Sequence, residues 1–597
     1  MVNFSQLRAL KPSELEEAAD GWHKVSSAAG EAKDRVDNEI VATLQHHLEG
    51  AGRDAAVGRL RRLSRNFQYT QAESGLIRTA LDGLASELRA AQKKLNDAVA
   101  DAEAEKLTVK PDGAVHWVSQ REKIPFSPEH TSWAGGPGTT ITSDPQQAKA
   151  QAYADRIGAA IQDANEADAR YSRTLDRLRA DNDLDVTSSD WADARQDMRS
   201  LQKSAGNYLQ RDDIPKGKSP AENAKWWKRL SSEQQQDLIA LYPELVGQLD
   251  GIPAVVRDEA NRAYLPMLIS KLDGLDDDKA RTQLEGLREI SSQLDAGSYP
   301  PMFLLGIDDK GNGRAIISYG NPDSSKNVSA YVPGLGTALN KDFATHDLKR
   351  ARDTALGAQT HDPSSASIVW LGYDAPQLPA DDLLDNLDVL GEQNARAGAP
   401  AYSSFMNGIA VSNDNSHPHI TAIGHSYGSL TVGQTALMTK GIPGVDDIVL
   451  LGSPGTGAQS AADLGVGKDH VFVGAAENDP VTHLPSKAEG SGLLAGAGTG
   501  SLTGNPVITG LGGAIGYEVG SLMSGDHELW FGVDPASEEF GARRFKVDAG
   551  PRPFIDGQGP TPAHSHYFDP EVDPVSAANV SAVVANRPDL IIPEAGR

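Results

Sequence analysis

A single ten-residue segment, Ile420–Ser429, constrains the fold of this chain more than any other part of the sequence. The apolar run Ile420–Ile423 is followed at once by Gly-His-Ser-Tyr-Gly at positions 424–428, and the residues after it can form a helix. This order predicts a strand, a sharp turn and a helix, with the hydroxyl of Ser426 exposed at the tip of the turn. The two glycines let strand and helix approach closely, and the helix N-terminus favours negative charge. Ser426 is therefore a candidate nucleophile.

Composition narrows the classes of function. The 597 residues predict more than one domain. The absence of cysteine excludes disulfides, thiolate zinc sites and a cysteine nucleophile. The net charge of −26 disfavours nucleic acid and anionic membranes as partners. No apolar run reaches the length of a transmembrane segment, and the first residues do not resemble a signal peptide. We expect a cytoplasmic protein, or one secreted without an ordinary signal peptide.

The first half of the chain has a helical pattern. Apolar residues recur at helical spacing from about residue 12, and a second such run extends from Gly50 to about residue 105. Because Gly50-Ala51-Gly52 interrupts the pattern, we predict a long helical hairpin within residues 1–125. A further helical region is predicted over residues 145–298.

From about residue 299 the pattern changes to strands that alternate with helices. Several candidate strands are continuously apolar, as in a parallel sheet covered on both faces. The first two form a hairpin around residues 308–313. Together with the turn at Ser426, these strands predict an α/β fold: an α/β-hydrolase domain with a mostly parallel sheet over residues 299–597, preceded by an all-α region. The candidate strands are Met302–Ile307, Arg314–Tyr319, Asn327–Val332, Ser367–Leu371, Ile420–Ile423, Asp447–Leu451 and Val471–Ala475.

A serine nucleophile in this fold needs an acid and then a histidine later in the chain. Asp479 follows the candidate strand Val471–Ala475 and is the preferred acid, with Glu477 as the alternative. Near the C-terminus, His564 and His566 are candidate bases, and their spacing does not choose between them, because residues two apart in an extended segment face the same side. His527 is a third option, whereas His425 is predicted to pack within the turn.

Two backbone N–H groups are needed to stabilise an oxyanion. The sequence predicts Tyr427, directly after the nucleophile, and either Leu335 or Gly334 from the glycine-containing loop at 333–337. No set of histidines and carboxylates has the spacing of a metal site, and no nucleotide-binding loop with its lysine follows a strand. We therefore expect neither a metal nor a cofactor.

Residues 484–525 form an apolar, glycine-rich insertion between the acid and the histidine. An insertion at this position can cover the site as a lid, which would favour acyl or other hydrophobic substrates. The alternative is a loop with no gating role.

Several motifs in residues 220–580 resemble a family of actinobacterial α/β-hydrolases of unknown function. The resemblance implies ester hydrolysis by serine, aspartate and histidine, as in a carboxylesterase or lipase. It implies a small-molecule or lipid ester as substrate and supplies no substrate identity. In similar proteins the last motif looks like His-Ser-x-Tyr, which favours His564 over His566. The motifs are Val332–Thr337, Val369–Pro376, Gly424–Ser429, Leu451–Gly455 and Ala563–Phe568.

The first helical hairpin resembles the small WXG-type modules of the type VII secretion pathway. Gly50 falls near the expected turn, although no tryptophan stands two residues before it, and Tyr69–Glu73 fits the short secretion pattern Tyr-x-x-x-Asp/Glu. This resemblance implies export by that route, binding of a secretion component, or self-association through the helices. An alternative function follows: a partner-binding protein or interbacterial effector whose hydrolase domain has minor activity.

Overall fold

The computed structural model describes residues 1–118, 145–178, 184–377, 391–484, 486, 528–552 and 561–597. Apart from Leu484 and Ser486, the predicted lid insertion 484–525 lies outside these residues. The chain divides into two compact units. The helical unit comprises Met1–Lys33, Arg65–Val186 and Asp193–Asp213, and the sheet unit comprises Asp34–Ser64, Thr187–Ala192 and Ile214–Arg597. The predicted domain boundaries at 125, 145 and 298 stay a prediction.

Long helices dominate the chain before residue 300. A π-helical stretch, Val36–Val41, joins the helices Pro12–Arg35 and Ala42–His47, and Gly50 adopts a positive φ of 92° before the next helix begins at Ala51. The helices are α1 (Phe4–Ala9), α2 (Pro12–Arg35), α3 (Ala42–His47), α4 (Ala51–Ala104), α5 (Pro145–Leu175), α6 (Ser188–Ser204), α7 (Pro220–Trp227), α8 (Ser232–Leu241), α9 (Pro243–Val246), α10 (Ala254–Asp273) and α11 (Asp278–Ala296). A short hairpin, β1 (Thr108–Val109) with β2 (Val115–His116), follows α4.

The helical unit is held together by small and apolar side chains of α4 and α5. A Cβ at Gly83 would lie 2.5 Å from the hydroxyl oxygen of Tyr171, so glycine is needed for this close approach. The Tyr171 hydroxyl donates to Glu87 Oε1 at 2.9 Å, and Arg170 pairs with the same carboxylate. The buried core residues from the two helices include Leu76, Ala80, Leu84, Leu88, Ile157, Ala160 and Ala164.

An eight-stranded sheet forms the centre of the sheet unit. Its strands are β3 (Met302–Asp308), β4 (Arg314–Tyr319), β5 (Asn327–Val332), β6 (Ser365–Leu371), β7 (His419–His425), β8 (Asp447–Leu451), β9 (Val471–Gly474) and β12 (Arg543–Arg544). They lie side by side in the order β12-β9-β8-β7-β5-β6-β4-β3; β4 runs antiparallel to β3 and β6, and all other pairs are parallel. A separate hairpin pairs β10 (Glu528–Leu529) with β11 (Gly532–Val533).

Helices cover both faces of the sheet. One core contains alternate strand residues such as Ile368 and Trp370 together with α13 (Gln393–Ser412) and α14 (Tyr427–Thr439). The other contains the intervening residues, such as Val369 and Leu371, together with α10, α11, α12 (Leu348–Gln359) and α15 (Pro574–Val584). Successive side chains of a strand point to opposite faces, so strands covered on both faces are apolar throughout. The α/β-hydrolase fold predicted from the sequence is confirmed.

The central parallel strands end level with one another at one edge of the sheet. Val332 of β5 is in register with Gly424 of β7, His425 of β7 with Leu451 of β8, and Leu451 with Gly474 of β9. The loops that follow these four strands therefore meet at the same edge, where ligands bind in open α/β sheets.

Candidate functional site

Ser426 occupies a strained turn between β7 and α14. Its φ of 55° and ψ of −131° lie in a region that residues other than glycine rarely adopt. The surrounding backbone maintains this conformation: the Ser426 N–H donates to Leu451 O at 3.0 Å, and Ser426 O accepts from the Ser429 N–H at 3.0 Å. Because such strain persists only where the fold enforces it, this turn is a candidate functional position.

The glycines on either side of Ser426 are required by close packing. A Cβ at Gly424 would lie 2.5 Å from Ser429 Cα, and a Cβ at Gly428 would lie 2.0 Å from the carbonyl oxygen of Val332. Any side chain at either position would separate β7 from α14, or α14 from β5. The spacing seen in the sequence is therefore the one that this turn needs.

Asp479 and His564 lie side by side. Nδ1 of His564 donates to Oδ2 of Asp479 at 2.8 Å, and the carboxylate is fully buried. The Tyr567 hydroxyl donates to the same oxygen at 2.7 Å, and the Val481 N–H donates to Oδ1 at 3.0 Å. Burial alone would raise the pKa of Asp479, but the charge and hydrogen bond of His564, with the bonds from Tyr567 and Val481, outweigh it and lower the pKa. The carboxylate is therefore ionised at neutral pH.

The structure separates the two candidate histidines. Residues Pro562–Ser565 form a 3-10 turn rather than the extended segment assumed from the sequence, so His564 and His566 point in different directions. Nδ1 of His566 is buried and has no hydrogen-bond partner among the described residues. The alternative acid, Glu477, is exposed, and His527 lies outside the described residues. Of the predicted acid and base candidates, Asp479 and His564 are the two that the structure brings together.

The predicted oxyanion donors lie next to the serine. A Cβ at Gly334 would lie 2.7 Å from Ser426 Cβ and 3.0 Å from both Ser426 Oγ and His425 O, so the 333–337 loop packs directly on the nucleophile turn. The backbone N–H groups of Leu335 and Tyr427 donate to no acceptor within the part of the chain that the structure describes. Both groups are thus available to an anion at this edge of the sheet.

His425, the last residue of β7 and the neighbour of Ser426, contacts His564. The ring centroids of His425 and His564 are 4.6 Å apart, and Nε2 of His425 is 2.7 Å from the carbonyl oxygen of His564. Neither Ser426 Oγ nor His564 Nε2 has a hydrogen-bond partner among the described residues. The strand end, the acid turn and the C-terminal turn therefore converge at one place.

Two residues of this site carried no assignment from the sequence. Tyr567 connects Asp479 to the segment that follows β9, since its hydroxyl also accepts from the Ala476 N–H at 3.0 Å. Gly452 has a φ of 53°, and a Cβ at this position would lie 2.9 Å from both Asp479 Oδ2 and His564 Nδ1. Glycine therefore leaves room for the Asp479–His564 pair. Both Tyr567 and Gly452 lie in motifs that the sequence singled out, Ala563–Phe568 and Leu451–Gly455, but only their contacts reveal what they do.

The described residues offer neither a metal site nor a membrane-spanning helix. No group of three or more histidines and carboxylates in them is arranged to hold a metal ion. None of the described helices combines the length and apolar character that crossing a bilayer requires.

Comparison with known proteins agrees with the fold. A family model described as alpha/beta hydrolase matches residues 308–489. The uncharacterized protein Rv2079 of Mycobacterium tuberculosis (strain ATCC 25618 / H37Rv) is 32% identical over 385 residues, covering 59% of this chain and 54% of that protein. The uncharacterized proteins Rv0963c of the same strain and Mb0988c of Mycobacterium bovis are each 34% identical over 212 residues, covering 34% of this chain and 75% of each relative.

This chain spans about half the length of the longest-matching relatives. It covers three quarters of the relatives that are 34% identical to it. The region matched by the family model, residues 308–489, contains the central strands of the sheet and Ser426. The chain therefore belongs to the α/β-hydrolase family that includes these mycobacterial proteins.

Proposed function

We propose that this protein is a serine hydrolase that cleaves carboxylic esters, as a carboxylesterase or lipase does. The observation that carries the proposal is the convergence of the strained Ser426 turn with the buried Asp479–His564 pair at one edge of the sheet. A hydroxyl is a weak nucleophile unless a base accepts its proton, and a histidine oriented by a carboxylate is such a base.

The hydrogen bond between His564 and Asp479 decides which nitrogen acts as the base. An ionised carboxylate only accepts, so Nδ1 carries the proton and Nε2 has a free lone pair. In the proposed reaction Ser426 Oγ bonds to the ester carbonyl carbon while Nε2 takes the hydroxyl proton. The alcohol leaves with that proton as the C–O bond breaks. Water then attacks the acyl carbon and gives one proton to Nε2. The bond from that carbon to Oγ breaks, Oγ takes the proton back from Nε2, and the carboxylic acid leaves.

Negative charge develops on the carbonyl oxygen in both steps. The N–H groups of Tyr427 and of Leu335 are the proposed donors to that oxygen, with Gly334 allowing the loop to approach Ser426. Loss of one such donor typically costs about 10²–10³-fold in kcat. Asp479 stays ionised and stabilises the imidazolium that forms on His564. No cofactor is needed for this sequence of steps.

The decisive experiment is labelling with a fluorophosphonate, which reacts with an activated serine. Wild type, Ser426→Ala and Ser429→Ala are compared by intact mass. Ser429 lies in the same turn, but its hydroxyl donates to Gly424 O at 3.0 Å and is already engaged. We expect one adduct on wild type and on Ser429→Ala, and none on Ser426→Ala. An unlabelled wild type, or a labelled Ser426→Ala, would contradict the proposal.

A panel of p-nitrophenyl esters of increasing chain length then defines the substrate class. Preference for short chains would favour a carboxylesterase, and activity that rises with chain length would favour a lipase. Turnover by Ser426→Ala near that of wild type would exclude Ser426 as the nucleophile.

A further inference from the structure

His425 contacts His564 in two ways, through its ring and through a hydrogen bond. Its side chain lies at the end of β7, and the residue is only 5% exposed. Its ring is tilted by 30° from that of His564, with the centroids 4.6 Å apart. The ring is also enclosed by Tyr331, Tyr567 and Phe568, whose centroids lie 6.4, 5.9 and 5.8 Å away. One flat face of the His564 imidazole therefore rests on a ring that has little freedom to move.

The hydrogen bond between these residues fixes the tautomer of His425. A backbone carbonyl only accepts, so Nε2 of His425 must carry the hydrogen that it donates to His564 O at 2.7 Å. Burial, followed by the charges of His564 and Arg350, holds the pKa of His425 well below its usual range. His425 therefore stays neutral and does not compete with His564 for a proton.

The turn that carries His564 has two short-range backbone bonds of its own. The His564 N–H donates to Thr561 O at 3.2 Å, and the His566 N–H donates to Ala563 O at 3.3 Å. Asp479 fixes the Nδ1 edge of the imidazole. Without another contact, the backbone of His564 and the plane of its ring could shift about that one bond.

We propose that His425 is a positioning residue that holds the carbonyl and ring plane of His564 so that Nε2 faces Ser426. This inference rests on the proposed function. Asp479 and His425 together hold the imidazole at an edge, a face and the backbone, and Nε2 is the ring nitrogen that they leave unengaged. A misplacement of about 1 Å in a reacting group can cost on the order of 10²-fold in rate.

The titratable groups near His425 come from β5, α12 and the C-terminal turn. Arg350 of α12 donates to Asp347 Oδ1 at 2.8 Å and to the Tyr331 hydroxyl at 3.1 Å, and Tyr331 also donates to Asp347 at 2.7 Å. The C-terminal turn contributes His564 and Tyr567. Because this network is buried, a residue that replaces His425 should have a similar volume. Two such substitutions distinguish the effect of the His425 ring from the effect of its N–H donor.

The test compares His425→Phe, which keeps a planar ring and loses the donor, with His425→Gln, which keeps an amide donor and loses the ring. His419→Gln is the matched control: His419 begins the same strand and bonds to Asp447 at 2.8 Å, far along β7 from His564. For each variant, fluorophosphonate stoichiometry gives the active fraction, and kcat and KM for a p-nitrophenyl ester are then expressed per active site.

We expect kcat per active site to fall about tenfold in His425→Phe and about threefold in His425→Gln, with KM unchanged, because the base is misoriented while the substrate pocket is intact. His419→Gln should keep the kcat of wild type. A merely structural role would lower the labelled fraction and leave kcat per active site unchanged in both His425 variants, and that result would overturn the inference. If wild type itself is not labelled, the proposed function fails instead, so the two failures are distinguishable.

Discussion

Gly334→Ala is the sharpest perturbation that the site offers. The added methyl would lie 2.7 Å from Ser426 Cβ and 3.0 Å from both Ser426 Oγ and His425 O. Carbon atoms in contact prefer a separation of about 3.5–4.0 Å, so the 333–337 loop and the nucleophile turn must move apart by about 1 Å. Ser426 Cβ and His425 O are fixed by the backbone, so a rotamer change of Ser426 could move only Oγ and would leave the closest contact in place.

The same displacement sets the expected size of the effect. Overpacking of this kind costs about 1–3 kcal/mol of folding stability. A shift of about 1 Å between a nucleophile and its oxyanion donors lowers the rate on the order of 10²-fold. We therefore expect Gly334→Ala to remain folded while its fluorophosphonate labelling rate and kcat/KM fall on the order of 10²-fold.

The assay pairs the labelling rate with thermal unfolding, and Gly274→Ala is the control. Gly274 follows α10, and a Cβ there would lie 3.7 Å from its nearest neighbour, which is an ordinary contact. This control should label at the wild-type rate. If Gly334→Ala also labels at the wild-type rate, the loop does not pack on the nucleophile as described, and the reasoning fails.

Three further outcomes are expected. Tyr567→Phe leaves the Ala476 N–H unpaired and should cost about 1–3 kcal/mol in unfolding free energy. It should also shift the acid limb of the pH–rate profile to higher pH, because an Asp479 Oδ2 that has lost a donor attracts the His564 proton more strongly. Asp479→Asn should lower kcat by about 10³–10⁴-fold, and it should remove the stability that wild type keeps above pH 3.8 and loses as the pH falls through the lowered Asp479 pKa. In the helical unit, burial and then the charges of Asp197 and Asp193 raise the pKa of Glu73 to about 8. The stability that protonated Glu73 contributes is therefore complete below pH 4.5 and is lost as the pH rises through about 8. Glu73→Gln should remove a difference on the order of 3 kcal/mol in the free energy of unfolding between pH 5 and pH 9, measured with denaturant.

The strands of the sheet were predictable because each is buried on both faces. Met302–Asp308, Arg314–Tyr319 and Asp447–Leu451 match their predicted bounds within one residue. Strand β6 begins two residues earlier than predicted, at Ser365, because Ser365 and Ala366 pair with Asn327 and Val328 despite their weak hydrophobic pattern. Strand β12 was missed because two arginines give no strand pattern, and only its pairing with β9 defines it.

The suggested secretion segment has an ordinary structural setting. Tyr69–Glu73 lies in the middle of α4, and Oε1 of Glu73 is buried without a hydrogen-bond partner among the described residues. Burial of this carboxyl near Asp197 and Asp193 raises its pKa to about 8. Export by a type VII route, binding of a secretion component and self-association through the helices stay predictions.

The sequence by itself determined the features that depend on neighbouring residues. The glycines around Ser426 and the continuous apolar strands are local patterns, because backbone strain and burial act residue by residue along the chain. Tertiary structure alone decided which groups meet. The bonds from His564 to Asp479 and from His425 to His564 join residues 85 and 139 positions apart, and the direction of His564 depends on a 3-10 turn that its spacing from His566 did not predict. Contacts over such separations leave no periodicity in the sequence, since they arise only when the strand ends come level at one edge of the sheet.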